Sequence, residues 1–311
     1  MRGIILAVMG SYAASIVVSG GTFKAIFGFG RSGAVADVSI TNLVSNTGVV
    51  ATDTTGVGTI RREPAAANYG GDKAIFGFGV DSTSSISMSV TNLVSNIGVM
   101  STDITGVGTA RYGLAAAGYG GDKAIFGYGA FYTNITNLVS NIGTVSTDVV
   151  GVGTARSQLA AAAYGGDKAI FGFGGTSGGH TSITNLVSNT GVVSANVTGV
   201  GGLRRQLAAA GYGGDKAIFG FGYTPTALAT SVTNLVSNTG VVATDTTGIG
   251  TARYDLSAAG YGGDKAIFGF GRDGSSFALS NLVSNIGIVS TDTTGVGIAR
   301  FGTAAAGFSL T

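Results

Sequence analysis

The segment Lys-Ala-Ile-Phe-Gly-Phe-Gly is written six times in this chain, at Lys24–Gly30, Lys73–Gly79, Lys123–Gly129 (with Tyr128), Lys168–Gly174, Lys216–Gly222 and Lys265–Gly271. Steps of 49, 50, 45, 48 and 49 residues separate the copies. A period in that range belongs to solenoids, propellers and arrays, whose units bury their apolar faces against one another. The repeat therefore overrides the two-domain expectation that 311 residues would carry. Residues 21–311 read as one repetitive body, preceded by an apolar extension at 1–20.

One unit can be followed from residue 109. Leu114–Tyr119 is a short run of small apolar residues, and Gly120-Gly121-Asp122 is a tight-turn signal. Lys123–Gly129 is aromatic and β-branched, hence a strand. A variable segment, Ala130–Ile135, leads to a third strand at Thr136–Ser140. Asn141-Ile142-Gly143 then turns the chain into a fourth, Thr144–Val150. Both faces of the second strand are apolar, which suits a sheet sandwiched between two neighbours. The alanine run is too short, and too hemmed in by glycine, for a helix. The pattern predicts an all-β, six-bladed β-propeller with four antiparallel strands per blade; a β-solenoid would have shorter coils. The chain ends on another inner-strand copy, Thr303–Ser309, with no second strand after it. Ring closure by this C-terminal strand is therefore expected. The alternative is that Ala13–Ser19, followed by Gly20-Gly21, supplies the inner strand of blade 1.

Composition narrows the function classes. The chain has 56 Gly, no Cys, one His, 44% hydrophobic and 10% charged residues. Disorder needs the opposite balance. A net charge of +2 without a basic cluster argues against a nucleic-acid partner. So low a charge content suits a particle whose surface is partly covered in an assembly. Met1–Gly20 has the apolar run and small-residue Ser11-Tyr12-Ala13 of a secretory signal, but Gly3, Gly10 and Ser11 interrupt it. No membrane span is expected there. The segment reads as an uncleaved extension tucked into protein.

Each unit carries an arginine at the same place: Arg61, Arg111, Arg156, Arg204, Arg253 and Arg300. Five carry an aspartate in the fourth strand (Asp53, Asp103, Asp148, Asp245, Asp292), replaced by Asn196 in the remaining unit. These are expected to form a structural ring, with the arginines bonded to carbonyls or to the aspartates between blades. An anion site is the other reading. His180 is the single histidine, and no loop gathers several carboxylates. Neither a metal site nor a cofactor is expected, and an enzyme is disfavoured. A polysaccharide hydrolase, needing two placed carboxylates, stays as a weaker alternative.

The functional signal lies in what differs between units. The turns Gly-Gly-Asp-Lys and Asn-Thr/Ile-Gly hardly vary. The link between second and third strands varies in length and content, and so do the two residues after each ring arginine, from Arg62-Glu63 to Phe301-Gly302. In an up-and-down blade these segments share one end, so one face is variable and the other nearly sixfold uniform. The variable face is the candidate binding surface. Its candidates are Arg31, Asp37, Arg62, Asp81, Tyr112, Phe131, Tyr132, His180, Arg205, Tyr223, Tyr254, Arg272, Asp273 and Phe301. Loop drift free of function is the competing reading.

Arg111, Leu-Ala-Ala-Ala-Gly-Tyr-Gly-Gly and Lys-Ala-Ile-Phe-Gly-Tyr-Gly, with their five counterparts across 21–311, resemble a kelch-type propeller. The chain departs from that family by keeping its Gly-Gly pair after the second strand only at Gly174-Gly175 and by lacking its tryptophan. The near-identical units are also similar to kelch-like repeat proteins of tailed bacteriophages. That resemblance implies a non-catalytic virion protein of a tail or appendage, with secretion or the cell surface as the alternative setting. Its implied partners are other virion proteins and a host surface glycan or receptor. A purely structural capping or cement subunit, docked through residues 1–20, is the alternative.

Overall fold

The computed structural model describes residues 22–33 and 36–310; the expectations for residues 1–20, including the alternative inner strand at 13–19, lie outside them. The described chain is all-β, built from small antiparallel sheets in a propeller-like arrangement. Six three-stranded sheets repeat one plan of inner, middle and outer strand. Sheet II joins Ala65–Tyr69, Lys73–Asp81 and Ile86–Val94, and sheet III joins Ala115–Tyr119, Lys123–Gly127 and Thr136–Val139. Sheet IV joins Ala160–Tyr164, Lys168–Gly172 and Thr184–Val187; sheet V joins Ala208–Tyr212, Lys216–Gly220 and Thr233–Val236. Sheet VI joins Ser257–Tyr261, Lys265–Gly269 and Ser280–Val283.

Sheet I is assembled from both ends of the described chain. Its middle strand Thr22–Gly28 pairs with Thr41–Val44 and with the C-terminal Ala304–Leu310, in register from Thr22↔Leu310 to Gly28↔Ala304. The C-terminal strand thus takes the inner slot of the first sheet. Inner strands touch their successors in a closed cycle that runs from sheet VI through Ala304–Leu310 to sheet II. Among the described residues no helix is long and apolar enough to cross a membrane.

The expected fourth strand is not a strand. In each unit it is reduced to two isolated bridges, for example Val139↔Val145 and Thr136↔Val149. Side chains take over the ladder between them. The Asn137 amide donates to Ser146 O at 3.0 Å and to Asp148 Oδ1 at 2.9 Å, and the Leu138 N–H donates to Ser146 Oγ at 2.9 Å. The Ser146 N–H still donates to Leu138 O at 2.8 Å, and the remaining backbone groups pair with these polar side chains, so they stay satisfied without a continuous strand.

The repeated Phe-Gly explains how the sheets pack. A Cβ on Gly127 would sit 2.8 Å from Phe171 Cζ of the next sheet, and one on Gly269 would sit 2.7 Å from Phe27 Cζ of sheet I. Glycine here is the socket for the neighbour's phenylalanine. The following aromatic residue (Phe29, Phe78, Tyr128, Phe173, Phe221, Phe270) adopts φ between 60° and 65°, a costly conformation for an aromatic side chain. That turn ends the middle strand in five sheets, makes a bulge in the longer strand of sheet II, and drives the ring into the seam between sheets. There it meets the next sheet's phenylalanine edge-on or tilted, as Tyr128 meets Phe171 at 5.1 Å and Phe270 meets Phe27 at 5.2 Å.

Candidate functional site

The six ring arginines lie in the same seams and are fully buried. Arg253 shows the full set of bonds, shared by Arg111 and Arg300, while Nε is unpartnered in Arg61, Arg156 and Arg204. Arg253 Nε donates to Phe270 O at 2.8 Å, Nη1 to Thr251 O at 3.0 Å, and Nη2 to Asn281 Oδ1 at 2.7 Å. Its guanidinium lies 4.4 Å over Phe221 of the preceding sheet, with Asp292 at 3.9 Å. Arg300 repeats this across the closure, stacked on Phe270 of sheet VI while donating to Phe29 O and Asn42 of sheet I. Burial lowers these guanidinium pKa values, to about 10 for Arg253, so the charge persists at neutral pH. Burial works to raise the Asp292 carboxyl, but bonds from Thr251 and Asn281 and the charge of Arg253 hold it below the ordinary range. These arginines therefore face protein, not an open anion site. Arg156 is the exception within the ring. Asn196 stands where the others have aspartate, and here alone in the ring the guanidinium Nη2 and its asparagine, Asn185 Oδ1, are buried without hydrogen-bond partners.

The link after each ring arginine brings the variable residues together. Glu63, Gly113, Gln158, Gln206, Asp255 and Gly302 all have φ between 51° and 61°. Their backbones form a cycle: the N–H of Glu63 donates to Gly302 O at 2.7 Å, Gly302 to Asp255 at 2.8 Å, and Asp255 to Gln206 at 2.9 Å. Gln206 donates to Gln158 at 2.8 Å, Gln158 to Gly113 at 2.6 Å, and Gly113 back to Glu63 at 3.2 Å. One residue per unit closes the centre on this side. On the other side a cavity of about 250 Å³ opens among the inner-strand alanines and the Gly-Gly turns.

An annulus surrounds the closed centre. The first residue after each ring arginine pairs with the start of a loop between middle and outer strands. The pairs are Arg62↔Val80, Ser157↔Gly175, Arg205↔Tyr223, Tyr254↔Arg272 and Phe301↔Arg31, and the Ala130 N–H donates to Tyr112 O at 2.7 Å. The two variable segments of each unit therefore meet on one face. The Gly-Gly-Asp-Lys turns gather at the opposite face, where the Gly70 N–H donates to Asp122 O of the next unit at 2.7 Å.

The annulus is not uniform. From unit IV to unit I it carries a connected row: His180 lies 6.4 Å from Tyr223, Tyr223 lies 4.8 Å from Tyr254, and the Arg272 guanidinium lies 5.0 Å from Tyr254 and 4.0 Å from Phe301. Phe131, 82% exposed, meets Tyr112 edge-on at 6.3 Å, and Tyr132 beside it is also exposed. Asp273 is exposed in its hairpin. Three expected face residues have other work. Asp37 is 3% exposed and accepts from Ser82 N at 2.6 Å and from the Ser82 hydroxyl, so it ties two adjacent loops together. Asp81 accepts from Thr83 N and the Ser84 hydroxyl within its own turn. Phe301 is buried under Arg272.

Two carboxyls at the centre were not among the expected face residues. Asp255 accepts from Gln206 Nε2 at 2.7 Å and forms an ion pair with Arg272 at 2.7 Å. Glu63 has a buried, unpartnered Oε2, and burial, reinforced by the charge of Asp255, pushes its carboxyl up to about 7. Their sequence signal is positional: they share a slot with Gly113 and Gly302, and glycine there marks a left-handed backbone. Among the described residues, no group of three or more His, Cys, Asp or Glu side chains could hold a metal ion. No protein-family model and no curated protein matches the chain.

Proposed function

We propose that the six sheets are the blades of a six-bladed, kelch-like β-propeller closed by its C-terminal strand, and that the protein is a non-catalytic recognition module. The closed cycle of six backbone hydrogen bonds supports the first part. A single observation carries the second: every segment that differs between units converges on one annulus, where aromatic rings and guanidinium groups are presented around a rigid centre. Aromatic faces flanked by planar hydrogen-bond donors suit a glycan, whose rings offer both C–H faces and hydroxyls. With the resemblance to phage repeat proteins, the ligand is a host surface glycan or receptor and the setting a virion appendage. The commitment of Asp255 to Arg272 and Gln206 argues against an acid–base role for it with Glu63.

A panel of bacterial surface glycans tests this reading. Saturable binding to at least one is expected, with loss of binding and unchanged melting for the double substitution Tyr223→Ser and Tyr254→Ser. Absence of binding across the panel would contradict it. A second reading, a structural virion subunit, draws on the opposite face. There the turn tips expose Val49, Ile97, Val99, Ile142, Val192, Val241, Ile286 and Ile288, an apolar rim that suits assembly with other virion proteins.

A further inference from the structure

The annulus holds four arginines in different electrostatic settings. Arg272 is neutralised by Asp255 at 2.7 Å and Arg31 lies 4.0 Å from Asp37. Arg62 makes no ion pair among the described residues and has a buried, unpartnered Nε, but it lies next to Glu63, whose carboxyl its charge acts to lower. Arg205 makes no ion pair among the described residues, and its Nε is buried without a hydrogen-bond partner. Its guanidinium lies 5.8 Å from the centre of the Tyr223 ring. His180, on the loop of the preceding unit, is 6.4 Å from the same ring, and burial together with the charge of Arg205 lowers its pKa. Tyr254 stacks behind Tyr223 at 4.8 Å. The nearest acid of the flanking link, Asp255, is already held by Arg272 and Gln206.

We propose that Arg205, with His180 and Tyr223, binds the carboxylate of an acidic sugar, the sugar ring resting against the tyrosine pair. This rests on the glycan-recognition reading of the annulus. A guanidinium fork without a carboxylate of its own is a ready partner for a planar, two-oxygen anion. Asp81 and Asp273 share this face and oppose a polyanion such as nucleic acid, while a single carboxylate on an otherwise neutral ring escapes that repulsion. His180 adds a sign. A bound carboxylate favours the imidazolium, so its pKa rises in the complex and binding strengthens as pH falls through the His180 titration.

His180 is the single histidine, so its ring protons can be followed by NMR in the intact chain without assignment mutants. The probes are methyl galacturonate, methyl glucuronate and sialyllactose, each with one carboxylate, with maltotriose as the neutral control. At least one acidic probe is expected to shift the His180 signal saturably and raise its pKa, and maltotriose to leave it unchanged. Arg205→Gln should weaken that binding about tenfold or more, and Arg205→Lys by less, since it keeps the charge but loses the fork. Arg62→Gln should leave it intact. Silence from all three acidic probes, or equal binding by the Arg205→Gln protein, would overturn the proposal. Binding of a neutral glycan that is lost with Tyr223→Ser and Tyr254→Ser but kept in Arg205→Gln would overturn it too, while leaving the recognition reading standing.

Discussion

A buried ring of six arginines and a set of four on the annulus differ in what holds them. In five of its six seams the buried ring repeats one environment, an aromatic face from the preceding sheet with an asparagine and an acid from its own; Arg156 keeps only the aromatic face. On the annulus, Arg62 and Arg205 follow a buried-ring arginine while Arg31 and Arg272 start a loop, and each meets different neighbours. Where six seams pose the same packing problem, the same side chain answers it each time. Where no neighbouring sheet fills the space, residues are free to differ, and a binding surface can be built.

The strongest way to break this comparison is to remove one arginine from each set. Arg253→Ala strips partners from Phe270 O, Asn281 and Asp292 in a buried seam and is expected to cost about 3–5 kcal/mol. Arg205→Ala is expected to change stability by no more than about 0.5 kcal/mol. Urea unfolding reads both, and equal losses would erase the distinction between scaffold and site.

A smaller effect tests the centre of the annulus. The folded state holds the Glu63 carboxyl at about 7 against an ordinary value of 4.5, so its contribution to stability is present below about pH 4.5 and is lost as pH rises through about 7. Glu63→Gln should match the parent protein in acid and exceed it by about 1–3 kcal/mol above that window. Parallel pH–stability curves for the two proteins would show that the carboxyl is not constrained there.

The smallest effect sharpens the buried ring. Asn196→Asp supplies Arg156 with the charge that the other seams have, and a gain of about 0.5–1 kcal/mol at neutral pH is expected. The equivalent aspartates are held below the ordinary carboxyl range, so this gain should be present above the unfolded carboxyl's pKa and disappear as pH falls through the folded one. Thermal unfolding at two pH values measures it.

Much of the scaffold was legible because it is written six times. The inner, middle and outer strands follow from Ala-Ala-Ala-Gly, Lys-Ala-Ile-Phe-Gly and Thr-Asn-Leu-Val, and the orphan strand at the C-terminus pointed to the pairing with Thr22–Gly28. The reason for the glycine after each phenylalanine was not legible, since its constraint is a ring from a different sheet, as Phe171 is to Gly127. The fourth strand failed for a related reason. Val145–Val149 has strand-like residues, but Asn137 and Ser146 compete for its ladder with their own side chains. At the site, variation pointed to segments that meet on one face, while loop position alone could not tell a free charge from a tethered one. Asp37 is spent on Ser82, and Glu63 and Asp255 look like ordinary loop acids until the six links close on one another.

The most direct test is an image of the protein in its native assembly at a resolution that traces side chains. The account predicts that the face carrying Tyr223, Tyr254 and Arg205 points away from other subunits, with the apolar rim at Val49, Ile142 and Val192 turned towards them. An annulus buried against a neighbouring subunit would make its loops assembly surfaces and contradict the recognition reading.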